Sequence, residues 1–451
     1  MTTDAQLAAW AASTQIPLSW PRDYSRNPYD FSGNPCIDFG RVVSREPRFV
    51  LRPRSTEQLS LCMEKLLACQ IPYHTRGAAH SSGGQSLSDG GAIISTAGLN
   101  RILDDRPYAD QIVVQGGTHW LSVIERLQVQ GRRPVTLTDN PRLTVAGTFS
   151  VGGFGDTTPR KGLSIRQVDE LTLVTPDGSR RRLRPGDELF HFALAGRGQL
   201  GIIADATIRT VRQTFKLAYH LIRWNSMSAF LRDVAVIAGR DLYDYVRVRA
   251  FWTDPIHIAG GVGNFTDSPD GQGGSIQFLA PDHVGDVQQL DMLESLRRGP
   301  GAKAWKLPTP AMEFALPLPV ALDLWPKICE RIVSGGLARF LRNGSSVMVT
   351  PPEPDYPLAP VTSASATLLI ALRPQVPAAL LGEALPVLRE IGEMALDAGG
   401  RIYLMSIELD TPNFLERQFG VELAAKFRAL KARVDPANLC NPGLLDKTSY
   451  A

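Results

Sequence analysis

The sequence predicts an α+β protein, and three observations carry that reading. Up to about residue 212, short apolar runs alternate with helical patterns across tight glycine turns. From about Phe215 the strands lengthen and alternate with long helical stretches, and beyond 401 a further helix leads into a turn-rich end. The expected division is therefore 1–212, 213–400 and 401–451, with the last segment folding back on the first domain. A chain of 451 residues that is 43% hydrophobic can bury a proper core in each.

Phe49 to Pro53 reads as a strand, and Ser55 with Gln58 makes a capping box for a helix running to about Cys69. Ile71 to Thr75, Ala92 to Thr96 and Gln111 to Val114 follow as short strands, and His119 to Gln130 as a helix. Glu170 to Val174 is a strand entering a Pro176-Asp177-Gly178 turn. In the second part, strands are expected at Tyr245 to Phe251 and Ser365 to Leu372, with helices at 283–298, 319–334 and 376–396. Gly260 to Gly274 and Pro351 to Pro360 read as surface loops. A last helix spans about Leu415 to Val434 and precedes the turn-rich Asp435 to Gly443. No internal repeat is visible.

With 48 Lys and Arg against 45 Asp and Glu, the formal charge of +3 is too small and dispersed for a nucleic-acid surface, so the expected partner is a small molecule. The five cysteines, Cys36, Cys62, Cys69, Cys329 and Cys440, include no close-spaced pair that would ligate a metal, and none is expected. The start has neither a basic nor an apolar leader pattern, and no run of about 18 apolar residues follows. The expectation is a cytoplasmic protein without membrane contact. The sequons at Asn264 and Asn343 carry no weight on that expectation.

Chemistry concentrates in three segments. Arg76 to Ser86, directly after a predicted strand, is a loop of small residues interrupted by one bulky side chain, His80. Small side chains let backbone N–H groups approach a bound phosphate closely. Thr138 to Gly153 supplies hydroxyls, glycines and one carboxylate, Asp139, which reads equally as a turn-forming residue or as a base. Gly196-Arg197-Gly198-Gln199-Leu200-Gly201 has the spacing of a dinucleotide fingerprint, but helical Glu188 to Leu194 precedes it and strand-like Ile202 to Ile208 follows. The fingerprint needs the reverse order, which argues against a Rossmann fold and NAD. Phe251-Trp252-Thr253-Asp254 and Trp305 are candidate pocket walls, against the commoner reading of such aromatics as core.

These segments together resemble the FAD-linked oxidases of the vanillyl-alcohol oxidase type, with a PCMH-type FAD-binding domain, and within them the cytokinin dehydrogenases. Gly77-Ala78-Ala79-His80-Ser81-Ser82-Gly83-Gly84-Gln85-Ser86 is similar to the Gly-x-Gly-His-Ser-x-x-Gly-Gln loop whose histidine bonds the flavin, with Ala79 where glycine is usual. Thr138-Asp139 through Leu143-Thr144-Val145-Ala146-Gly147-Thr148-Phe149-Ser150 resembles the segment bearing the catalytic aspartate of cytokinin dehydrogenases, one residue shorter. Leu194 to Ile203 is similar to the stretch along the adenine side of FAD. Tyr403-Leu404 and Asn441-Pro442-Gly443-Leu444 resemble the closing C-terminal pieces, although Asn and Leu replace the usual Ser and Gln.

The resemblance implies a two-subdomain FAD-binding domain plus a substrate domain with a large antiparallel sheet flanked by helices. It implies FAD bonded through His80, with no second cysteinyl tether because no cysteine lies between Cys69 and Cys329. The residues it implies around the cofactor are Arg76, Gly77, Ala78, Ala79, His80, Ser81, Gln85, Ser86, Thr138, Asp139, Thr144, Gly147, Ser150, Phe154, Gly201, Ile203, Tyr403 and Asn441. It implies hydride transfer from a small amine-bearing substrate to flavin N5 with Asp139 as the catalytic base, O2 or another acceptor then reoxidising the flavin. The alternative is a natural-product tailoring oxidase acting on an alcohol, a sugar or another C–H or C–N bond.

Overall fold

The computed structural model describes residues 3–106, 109–212, 216–240, 242–266, 268, 271, 273–298, 306–361 and 366–445. Among them the strands make three sheets, in an α+β arrangement. Trp305 and Ser365 lie outside the described residues.

The first sheet holds β1 (Leu18–Ser19), β2 (Phe49–Leu51), β3 (Tyr73–Arg76) and β4 (Ala92–Ser95) in the order β1-β2-β4-β3. β2 and β3 run parallel to β4, with Tyr73 opposite Ala92 and Arg76 opposite Ser95. Helix Thr56–Ala68, capped by Ser55 Oγ accepting from Gln58 N, supplies the crossover between β2 and β3. Its buried Leu59, Cys62, Met63 and Leu66 pack on Phe49, Leu51, Tyr73 and Ile94. The second sheet holds β5 (Ile102–Asp104), β6 (Gln111–Gln115), β7 (Arg132–Pro134), β8 (Val168–Val174), β9 (Arg180–Leu183) and β10 (Ile202–Arg212) in the order β5-β6-β10-β8-β9, with β7 also on β10.

The third sheet runs β14-β11-β13-β12-β16-β17-β15-β18 and is antiparallel throughout. Its strands are β11 (Lys216–Trp224), β12 (Tyr245–Phe251), β13 (His257–Phe265), β14 (His283–Asp291), β15 (Met312–Pro317), β16 (Ser345–Thr350), β17 (Thr367–Leu372) and β18 (Arg401–Ile402). Alternation decides its two faces. Val246, Val248, Ala250, Phe314, Val347, Leu368 and Ile370 form one core with helices Met227–Gly239, Leu318–Ser334 and Leu381–Asp397. Tyr245, Ala315, Met348, Leu369 and Ala371 point the other way, into a core shared with Phe149, Phe154, Leu163 and Tyr403. The segment after residue 434 returns to the first sheet, where Tyr73 N donates to Leu439 O and Asn441 N to Tyr73 O, both at 2.8 Å.

Several expected elements differ. The helix expected at 283–298 is strand β14 followed by helix Met292–Arg298. β14 is the sheet's outer strand, so its polar residues meet water and leave the alternating apolar signal of a strand weak. The loop expected from Gly260 begins inside β13, which lies between β11 and β12. There the glycines serve close approach, since a Cβ at Gly260 would lie 2.0 Å from Arg247 O and one at Gly263 2.1 Å from Ala218 O. Within 351–360, Glu353, Leu358 and Ala359 are buried, so this stretch is packed rather than a surface loop. The last helix is two, Phe414–Phe419 and Val421–Val434, divided at Gly420 with φ +90°. No helix among the described residues is long and apolar enough to cross a membrane.

Candidate active site

The chain turn after β3 builds the first wall of a cavity of about 450 Å3, a volume in the range of small-molecule sites. Gly77, Ala78, Ala79, His80, Ser81, Gln85 and Ser86 line it. Ala79 is held at φ +55°, a left-handed conformation that costs a residue with a Cβ roughly 1–2 kcal/mol, which is the physical reason a glycine would be the easier choice there. Its methyl packs with Phe31 and Phe39, and its carbonyl accepts from Phe39 N at 2.8 Å. Asp38, fully buried, ties down the next turn by accepting from Ser81 Oγ at 3.0 Å and Gly84 N at 2.8 Å. Burial lifts that carboxyl to about 6.

His80 is stacked on Phe39, ring centroids 4.2 Å apart at 16°, and meets the edge of Phe31 at 5.5 Å. Its Nε2 lies 3.0 Å from Asn140 Nδ2, a contact that needs the imidazole nitrogen to accept and therefore puts the ring proton on Nδ1. Burial pushes the imidazole down to about 4, with Arg373 adding to the fall and Asp139 opposing it, so the ring is neutral at neutral pH.

The second wall is the 138–154 segment. Thr138, Asp139, Thr144, Gly147, Ser150 and Phe154 all line the cavity. Gly155 lets this segment fold tightly, since a Cβ there would lie 2.1 Å from Leu137 O. Thr144 keeps a buried hydroxyl without a partner, set between two glycines. A Cβ added at Gly77 would come within 2.4 Å of that oxygen, and one at Gly147 within 2.7 Å. Glycines flanking an unsatisfied hydroxyl on a cavity wall suit a phosphate-bearing ligand.

Gly201, Ile203, Tyr403 and Asn441 complete the lining from the opposite side. Asn441, at φ +47°, binds two segments at once. Its Oδ1 accepts from Thr75 N at 2.7 Å, and its Nδ2 donates to Gly198 O at 2.7 Å and to Thr75 Oγ1 at 3.2 Å. The Gly196–Gly201 turn does sit between helix Glu188–Ala193 and β10. Tyr403 meets Phe154 edge-on at 4.8 Å, and burial, together with the Glu313 and Asp139 carboxylates, holds its phenol well above the usual range.

Arg76 is the exception among the expected residues. Its side chain turns away from the cavity, and its guanidinium donates to the carbonyls of Phe31, Asn34 and Ile37. It anchors the chain that lies under the His80 loop. Phe251 and Trp252 are likewise off the cavity: Phe251 stacks on His257, and Trp252 packs on Trp325 with its Nε1 donating to Ser345 Oγ.

The third sheet contributes what sequence reasoning missed. Arg247, Arg249 and Arg373 line the cavity. Arg373 Nε donates to Glu313 Oε1 at 2.6 Å and its Nη1 to Asp139 Oδ2 at 3.4 Å. Glu313 is wholly buried, its other oxygen has no hydrogen-bond partner, and burial raises its carboxyl above the usual range. Arg247 pairs with buried Asp156 at 3.3 Å, and that carboxylate holds the guanidinium above its usual value. The signal in the sequence was Tyr-Val-Arg-Val-Arg-Ala-Phe over 245–251, two arginines at strand spacing on one face of an otherwise apolar strand.

Comparison with known proteins agrees with this architecture. Residues 47–184 match the family described as FAD binding domain. The chain is 27% identical over 432 residues to an uncharacterized oxidoreductase, ORF5 in the fasciation locus of Rhodococcoides fascians, covering 90% of this chain and 95% of that protein. It is 31% identical to cytokinin dehydrogenase 2 and to cytokinin dehydrogenase 4 of Arabidopsis thaliana, over 204 and 240 residues. Those two alignments cover 44% and 48% of this chain but 40% and 45% of the plant enzymes, so the chain spans less than half their length.

Proposed function

We propose, for a chain that belongs to the FAD-binding oxidoreductases, that it carries FAD bonded covalently through His80 and oxidises a small amine-bearing substrate with Asp139 as base. The observation that carries this reading is that His80 and Asp139 line one cavity, with Arg373 acting on both. The plant relatives, named cytokinin dehydrogenases, point the same way.

When bound, the flavin supplies a hydride acceptor at N5. Gly77, Ala78, Ala79, Ser81 and the unsatisfied Thr144 hydroxyl would hold the phosphates, and Gln85, Ser86, Thr138, Gly147, Ser150, Phe154, Gly201, Ile203, Tyr403 and Asn441 the rest of the dinucleotide. A neutral His80 keeps a nitrogen lone pair available for the bond to the flavin. Asp139 takes the N–H proton of the substrate as the neighbouring carbon gives up hydride. Arg373 fixes where that carboxylate lies, and Glu313 fixes Arg373.

The test is a visible spectrum before and after trichloroacetic acid precipitation, followed by anaerobic titration with isopentenyladenine. Yellow colour in the pellet, lost to the supernatant in His80→Ala, supports the tether, and bleaching by isopentenyladenine supports the amine reading. A second reading, a natural-product tailoring oxidase on an alcohol, a sugar or another C–H or C–N bond, draws support from Leu444 in the cavity wall. Colour without bleaching would favour it, and a colourless pellet and supernatant would sink both.

A further inference from the structure

We propose that the substrate carries an anionic group, a carboxylate or a phosphate, and that Arg249 receives it with Arg247 alongside. This names the substrate class of the site described above and rests on that reading for where the substrate lies.

Alternation along β12 puts Arg247 and Arg249 on the cavity side and Val246, Val248 and Ala250 in the helix-covered core. Pairing then draws a row across four strands: Arg249 is opposite Ser346, Ser346 opposite Ala371, and Ala371 opposite Glu313. Arg373 follows two residues after Ala371. Small side chains thus separate Arg249 from the Glu313–Arg373 pair, and the guanidiniums are spread along the wall rather than stacked on one carboxylate.

The partners of these arginines differ. Arg373 is committed to Glu313 and Asp139, and Arg247 to Asp156. Arg197, also on the wall, is spent on the carbonyls of Leu404 and Leu444. Arg249 has no carboxylate at ion-pair distance among the described residues, and its one hydrogen bond goes from Nη1 to Asn343 O at 2.9 Å. The remaining donors of a planar fork suited to two oxygens are therefore uncommitted. Asp156 and Glu313 are buried and do not line the cavity, so of the carboxylates among the described residues only Asp139 faces it, against Arg142, Arg197, Arg247, Arg249 and Arg373. Arg249 shares the cavity wall with Asp139 and Arg373 and feels the charges of Arg247, Asp139, Arg373 and Asp156. A cationic wall of this kind, next to the proposed base, selects a substrate with an acidic group over its neutral analogue.

The test is calorimetric titration of the purified holoprotein with benzoate and with benzamide, matched in shape and differing in charge. Benzoate is expected to bind tighter by about tenfold or more, the scale of a charge-assisted hydrogen-bonded contact, and inorganic phosphate to compete with it. Arg249→Gln should abolish the preference while flavin content and melting temperature stay at the wild-type values, and Arg249→Lys should restore part of it. Equal binding of the two probes by the wild type, or a preference that survives in Arg249→Gln, overturns the proposal. So does loss of flavin from Arg249→Gln, which would assign the guanidinium to the cofactor. The titration needs no turnover, so failure of isopentenyladenine to bleach the flavin would remove the amine reading and leave the anion preference to be judged on its own.

Discussion

Arg373 lies between two carboxylates, with Asp139 at 3.4 Å on the cavity and Glu313 at 2.6 Å behind it. Its own burial works against the charge, but the two carboxylates outweigh that and keep the guanidinium above its usual value. The pair orders the proposed base without neutralising it by a short contact. Asp139→Asn keeps the shape and the contact to Arg373 but removes the proton acceptor. The rate of flavin reduction should fall by roughly 10²–10⁴-fold, the usual contribution of a positioned base, with substrate binding changed far less. Anaerobic stopped-flow bleaching measures both, and a rate within a few-fold of wild type would remove Asp139 from the chemistry.

Which parts of this site could be read from the sequence follows from how each is assembled. His80 and Thr144 stand in loops whose small residues are contiguous, so the need for close backbone approach is written in one stretch of chain. Glu313 and Arg249 come from two strands and Arg373 from just past the end of a third, and they meet only through register, which no local pattern records. The glycines of β13 signalled a turn because a sequence shows the missing side chain but not the strand pressed against it. Arg76 failed in the opposite sense. Its place in the loop was legible, but its direction was set by the three carbonyls of the 31–37 segment beneath it.

Gly77→Ala should reduce flavin content. The new methyl would lie 2.4 Å from Thr144 Oγ1, so the hydroxyl or the loop must shift, and either change spoils the cradle. The ratio of flavin absorbance to protein absorbance after purification reads the effect directly. Full flavin loading in Gly77→Ala would place the phosphates elsewhere on the wall.

Asn441→Ala should destabilise the fold and loosen the C-terminal closure together. Alanine cannot make the side-chain bonds to Thr75 and Gly198, and it tolerates φ +47° poorly. A loss of about 2–4 kcal/mol is expected from three side-chain hydrogen bonds and the backbone cost. Chemical denaturation gives the magnitude, and limited proteolysis after residue 434 should show the tail released first. Asn441→Gly, which keeps the backbone conformation, should lose less. Equal losses in the two variants would mean that the left-handed backbone contributes nothing.

Glu353 gives the fold a pH dependence with a definite sign. It reaches from the segment after β16 to accept from Leu163 N at 2.8 Å and Arg166 Nε at 2.7 Å. Burial outweighs these contacts and lifts its carboxyl to about 7, from an ordinary value near 4.5. Below pH 4.5 the group is protonated folded or unfolded, and above 7 it is ionised in both. Between those limits the folded chain holds a proton that the unfolded chain releases, so raising the pH through this window costs stability. A shift of this size corresponds to a change on the order of 3 kcal/mol. Glu353→Gln has no such group. The stability of wild type relative to Glu353→Gln, measured by denaturant unfolding across this window, should therefore fall as pH rises and level off beyond it. A difference that stays flat or grows with pH would show that Glu353 is already ionised in the folded chain and that the Arg166 pair, not burial, sets its charge.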